Sequence, residues 1–170
     1  MHGFTVLGTY DDGEYGQEHI AIRPERLTLE SGRPVVSMPA GFDVKLSGRH
    51  VIVAWDGGRA AARALADAMQ VLKSDDTIEI VSAGRLPLAQ TLPDFDVAPF
   101  FERHSLCVKT TELPRDRRSI AETLADHCKA TGAALLIMGA YEHSPLREGL
   151  IGGVTQEIGS RIAVPIFMSH

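Results

Sequence analysis

Across residues 49–170, short apolar runs alternate with stretches whose apolar side chains return every third or fourth position. Residues 50–55 form a β-branched run suited to a strand buried on both faces, and Asp56-Gly57-Gly58 breaks it. Ala61, Leu65, Ala68 and Leu72 then fall on one stripe, which predicts a helix over 59–72. A second strand is predicted at 77–81 and a loop at 86–93. Val97, Phe100, Phe101 and His104 keep helical spacing around Pro99, so a short helix is expected there, followed by a third strand at 106–111. Ser119 with Glu122 forms a capping box and Gly132 a stop, bracketing a helix whose inner face carries Ile120, Leu124, His127, Cys128 and Thr131. Residues 134–139 read as a fourth strand and 140–150 as a loop. Ile151, Val154, Ile158 and Ile162 mark a last helix, and 165–168 a fifth strand. Such strict alternation implies parallel strands joined by right-handed crossovers, hence a doubly wound α/β sandwich.

Residues 1–46 do not continue that pattern but resemble its end. Gly8, Tyr10 and Pro34 match Gly139, Tyr141 and Pro165 at one offset of 131, and Val6-Leu7-Gly8 parallels Ile137-Met138-Gly139. This reads as an internal repeat. A β-α-β unit of this size cannot bury its own faces. Residues 1–46 are therefore expected to be the closing third of an upstream copy, and 47–170 a complete domain. The competing reading is a chance likeness between two ordinary strand-helix-strand segments. The repeat also predicts that residues 34–38 pair with 166–169, in one chain or between two.

Composition narrows the function. The 170 residues carry 17 Lys+Arg against 22 Asp+Glu, 44 % are hydrophobic and 23 % charged, which removes disordered, collagen-like and coiled-coil readings. The acidic balance and the lack of a Lys/Arg cluster argue against a nucleic-acid partner. No apolar run reaches the roughly 18 residues that span a bilayer, and the start lacks the regions of a signal peptide, so a cytoplasmic protein without membrane contact is expected. Cys107 and Cys128 form no C-x-x-C and suggest neither disulfide nor zinc.

Ligands of doubly wound sheets bind beyond the carboxyl ends of the strands, where successive crossovers leave to opposite faces. With strand order 3-2-1-4-5, that rule selects Asp56-Gly57-Gly58 and the loop 139–153. Gly152 and Gly153 precede a helix start at Val154, where exposed N–H groups suit a phosphate, and Thr155 adds a hydroxyl. Asp56 suits a ribose or an adenine amine; the plainer alternative makes it an N-cap and the glycines turn formers. His127-Cys128 lie near an inner helical stripe and read as structural, and Trp55 reads as packing. His143-Ser144 are adjacent and make no catalytic pair. With no G-x-S-x-G, P-loop or H-E-x-x-H, no catalytic centre and no metal site is expected.

Three segments, VIVAWDGG at 51–58, LLIMGAYEHSPLREGLIGGVTQEI at 135–158 and VPIFMSH at 164–170, resemble the first strand, nucleotide loop and closing strand of the universal stress protein family. Residues 1–46 resemble the end of a preceding family domain, as in tandem members. The resemblance implies a Rossmann-like, stress-response regulatory protein that is not an enzyme beyond slow ATP hydrolysis, and a homodimer through closing strands. It also implies an adenine-nucleotide pocket at Asp56, Gly57, Val81, Gly139, Gly152, Gly153, Val154 and Thr155. The family's nucleotide loop has the form G-x2-G-x9-G-S/T, and here Glu142 replaces its second glycine and Gly153 its Ser/Thr. A carboxylate ~4 Å from a phosphate costs about 1 kcal/mol in water and about 4 at an effective dielectric of 20. A lost hydroxyl removes one charge-assisted hydrogen bond of about 1.5–3 kcal/mol. ATP is therefore expected to bind weakly or not at all, with Arg147 or His143 available to offset Glu142. The alternatives are an ATP-binding switch and an assembly module without a ligand.

Overall fold

The computed structural model describes residues 3–8, 23–83, 97–115, 117–140, 157–158 and 161–170. The loop expected at 86–93, almost all of that at 140–150, and Ile151 and Val154 lie outside them. The strands are β1 (Thr5–Gly8), β2 (Val35–Met38), β3 (His50–Ala54), β4 (Thr77–Ala83), β5 (Cys107–Leu113), β6 (Leu135–Gly139) and β7 (Ile166–Ser169). The helices are α1 (Pro24–Ser31), α2 (Arg59–Ala68), α3 (Val97–Glu102) and α4 (Ile120–Thr131). All strands join one sheet of order β1-β2-β7-β6-β3-β4-β5. Within 47–170 the strands are parallel and run third, second, first, fourth, fifth, as predicted.

The alternation of side chains along buried strands divides the core in two. Val51, Val53, Ile78, Ile80 and Ile137 pack with Ala64, Leu65 and Ala68 of α2 and with Phe101 of α3. Ile52, Val81, Leu136 and Met138 pack on the other face with Ala121, Leu124 and Cys128 of α4 and with Ile158 and Ile162 of the last predicted helix. Residues 157–158 and 161 are helical. Among the described residues no helix is long and apolar enough to cross a membrane.

Helix ends follow their local chemistry. The Ser119 hydroxyl accepts from the Glu122 N–H and the Glu122 carboxylate from the Ser119 N–H, completing the predicted capping box of α4, which ends on left-handed Gly132. Helix α2 stops at Ala68 rather than at 72. The buried Asp76 carboxylate accepts from the Lys73 N–H and pairs with the Arg49 guanidinium, which also donates to the Val71 carbonyl; these bonds hold 71–76 as a turn. Burial would raise the Asp76 pKa, but these donors outweigh it and hold the carboxyl below its usual range. Leu72 still packs on the core. Strands β4 and β5 run to Ala83 and Leu113, past the predicted 81 and 111, because they pair along seven positions.

The leading segment pairs its strands in the same register as the closing one. The register of β1 on β2 (Thr5↔Val35 to Gly8↔Met38) is that of β6 on β7 (Leu136↔Ile166 to Gly139↔Ser169) shifted by 131 at every pair. The Thr5 N–H donates to the Pro34 carbonyl at 2.9 Å, as the Leu136 N–H does to that of Pro165. Strands β2 and β7 pair antiparallel about Val36↔Phe167, two residues that are equivalent under the same offset. The expected pairing of closing strands thus occurs within one chain. The homodimer expected through β7 meets an edge that β2 already occupies.

Candidate functional site

The first parallel strand of residues 47–170, β3, delivers Asp56 beyond its carboxyl end. The backbone of Trp55 still donates to the Val81 carbonyl at 2.8 Å, so the chain leaves the sheet only at Asp56. Asp56 is exposed, and its Oδ1 accepts from the Gly58 N–H at 2.8 Å. This closed local turn corrects the N-cap reading of Asp56, because the N-cap of α2 is Gly58, which offers no side-chain cap, while the glycines do form the turn. Gly57 takes φ 80°, the left-handed region that a residue with Cβ avoids.

Gly139, at the carboxyl end of β6, meets that turn's helix. A Cβ on Gly139 would stand 2.6 Å from the carbonyl carbon of Ala60 and 2.7 Å from the nitrogen of Ala61. Backbone therefore packs on backbone, and the first turn of α2 closes over β6. Gly139, where the second of the selected loops begins, is thereby spent on contact with the helix that follows the first. Val81 lies beneath, almost wholly buried, and its carbonyl is engaged by Trp55. The structure thus brings Asp56, Gly57, Val81 and Gly139 to one end of the sheet. Gly152, Gly153, Val154 and Thr155 lie outside the described residues, as do Glu142, His143 and Arg147.

A second polar cluster was not anticipated. Glu79 of β4 is 1 % exposed, flanked in sequence by Ile78 and Ile80, and sits under α4. Thr111 donates to it at 2.6 Å, while Lys109 Nζ lies 3.1 Å, His50 Nε2 2.8 Å and His127 Nε2 3.1 Å from its oxygens. The two imidazole Nε2 atoms approach the carboxylate without making an aligned hydrogen bond. Burial would raise the Glu79 pKa; the Thr111, Lys109 and His127 side chains outweigh it and hold the carboxyl at about 2. Burial pushes the neighbouring Cys128 thiol up to about 12, with Glu79 adding to the effect, which makes it a packing group and not a nucleophile. The signal in sequence was an acidic residue inside an isoleucine run. Among the described residues, no group of three or more His, Cys, Asp or Glu side chains is arranged to hold a metal ion.

A groove between α4 and residues 161–164 is lined by Arg118, Glu122, Asp126, Lys129, Arg161 and Val164, among others. Four of its charges pair with one another, Arg118 with Asp126 at 2.9 Å and Arg161 with Glu122 at 3.3 Å, and among the described residues none of the predicted pocket residues lines it.

No protein-family model and no curated protein matches the chain. Solved structures do. The chain resembles a universal stress protein from Archaeoglobus fulgidus DSM 4304 with a TM-score of 0.60 and 18 % identity over 81 % of its own length, and it spans about half, 51 %, of that protein. A putative universal stress protein from Pseudomonas aeruginosa UCBPP-PA14 gives 0.58 and 13 %, with 98 % of this chain and 63 % of that one covered. A universal stress protein solved in complex with cAMP gives 0.54 and 18 %, with 73 % and 98 % covered. The chain has the fold of the universal stress proteins.

Proposed function

We propose that the chain is a universal stress protein of the regulatory, non-catalytic kind, acting in the cytoplasm with an adenine-nucleotide crevice that binds weakly or has lost its ligand. The observation that carries this reading is the seat of Gly139. Asp56 and the end of β6 are the walls that this reading requires, and the side of Gly139 on which a Cβ would stand is filled by the first turn of α2. That contact commits the Cβ side of Gly139 to helix packing, and the departures at Glu142 and Gly153 weigh against tight ATP binding. A homodimer through β7 forms no part of the proposal, since β2 holds that edge. We read residues 47–170 as the complete domain; the universal stress protein in complex with cAMP covers 73 % of this chain, the share those residues occupy.

The test is thermal unfolding with Mg²⁺ and ATP, and separately with cAMP, the ligand of that structural neighbour. A ligand at 100 times its Kd stabilises by about 2.7 kcal/mol. The reading expects no shift in melting temperature at micromolar nucleotide and a small or absent one at millimolar. A full shift at micromolar concentration establishes the ATP-binding switch instead. Glu142→Gly is expected to strengthen ATP binding, and unchanged titration heats would refute the role given to that side chain.

A further inference from the structure

Under the 131-residue offset Gly8 is the counterpart of Gly139, but the two glycines differ in what surrounds them. A Cβ on Gly139 would collide with the backbone of α2, whereas one on Gly8 would meet nothing within 4 Å. Gly8 does not occupy the left-handed region either, so its own backbone gives no reason for glycine. The neighbouring side chains show the same contrast. Leu135 and Ile137 are 6 % and 0 % exposed beneath β3, and their counterparts Phe4 and Val6 are 40 % and 57 % exposed. Strand β1 ends the sheet, so among the described residues its outer edge pairs with no strand. An apolar free edge of this kind is a ready template for another chain.

The register of the complete domain shows what would fit. Strand β3 lies parallel to β6 with Val51↔Leu135, Ile52↔Leu136 and Val53↔Ile137, and its following helix starts over Gly139. We propose that the edge formed by Phe4, Thr5, Val6 and Gly8 is the docking surface for a strand-turn-helix unit of the β3–α2 type supplied from outside these 170 residues. The partner strand pairs parallel with β1 opposite Phe4, Thr5 and Val6, and the first turn of its helix covers Gly8. A second copy of this chain fits less well. Its β3 is already held between β4 and β6, and edge-to-edge pairing of two β1 strands supplies no helix for Gly8. The inference rests on the repeat and its register, and is independent of nucleotide binding.

The experiment supplies such a unit from the protein itself. Residues 47–133 are fused directly before residue 3, so that the added segment enters β1 where residue 133 enters the equivalent position of β6. The fused chain is expected to slow exchange of the β1 amides at least 100-fold relative to the unfused chain. Gly8→Ala, silent in the unfused chain, is expected to lower the melting temperature of the fused one by several degrees, as Gly139→Ala does in both. Equal β1 exchange in the two chains, or Gly8→Ala silent in both, overturns the proposal, including when the added segment stays unfolded. A dimer of the unfused chain that Val6→Lys dissolves would assign the edge to a second copy and also overturn it.

Discussion

The unit that ends in β2 and the unit that ends in β7 share their register pair by pair, yet one lies at the rim of the molecule and the other in its middle. Strand β6 is buried over four of its five residues, whereas β1 is exposed over three of its four. Pairing is thus a local property that the matched Gly and Pro positions carry in both units. Burial is contributed by neighbours, β3 and α2 for one unit and none described for the outer edge of the other. Small changes at equivalent positions should therefore have unequal effects.

The largest difference is expected at the two glycines. Gly139→Ala drives a methyl group into the backbone of Ala60 and Ala61, where no side chain can swing aside, and should destabilise by about 3 kcal/mol. Gly8→Ala should be neutral, or stabilise by about 0.5 kcal/mol through the lost freedom of glycine in the unfolded chain. Urea unfolding of the two variants measures this directly. Equal losses would mean that β1 is covered in solution.

Acid should find a difference next, because residues 47–170 hold Glu79 and residues 1–46 have no counterpart to it. Its carboxyl titrates at about 2 when folded, against an ordinary 4.5. The stabilisation it provides is complete above about pH 4.5 and disappears as the pH falls toward 2, a loss of roughly 2–3 kcal/mol. Glu79→Gln should cost about 2 kcal/mol at pH 7 and flatten the pH dependence of melting below 4.5. A variant as acid-sensitive as the parent would remove Glu79 from this role.

The helices of the two regions contrast by about 1 kcal/mol. Helix α4 has a reciprocal capping box and α1 has an N-cap, Arg23, that makes no side-chain bond. Ser119→Ala should cost about 1 kcal/mol, and Arg23→Ser, at a residue already extended, should gain about 0.5. Melting temperatures shifting in opposite directions would bear out the contrast; a shared sign would show that α1 is not limited by its missing cap.

These contrasts explain which features could be read from sequence. The α4 cap, the apolar runs of β3 and β6, and the offset linking Gly8 to Gly139 were legible because spacing alone carries them. The neighbourhood of Asp56 and Gly139 followed from the order of crossovers. What spacing could not carry was the occupant of the space above each glycine, since identical residues gave a collision in one place and open solvent in the other. Glu79 was missed because its partners His50, Lys109, Thr111 and His127 come from β3, β5 and α4 and meet only through the tertiary fold. The early end of α2 had the same origin, a buried Asp76 drawing in Arg49 from 27 residues away.

The smallest effect tests the comparison most closely, because it opposes the usual rule that deleting more apolar atoms costs more. Ile137→Val removes one methylene group from a fully buried site and should cost about 1 kcal/mol. Val6→Ala removes two methyl groups at the equivalent position, and with that side chain more than half exposed it should change stability by no more than about 0.5 kcal/mol. Both are read as shifts in urea midpoint at unchanged slope, since an altered slope would mean that the surface exposed on unfolding had changed as well. If the order were reversed, Val6 would have to be packed against a cover in solution. The neutrality of Val6→Ala should then return on dilution if that cover were a second copy, and would not depend on concentration if the cover came from within the chain.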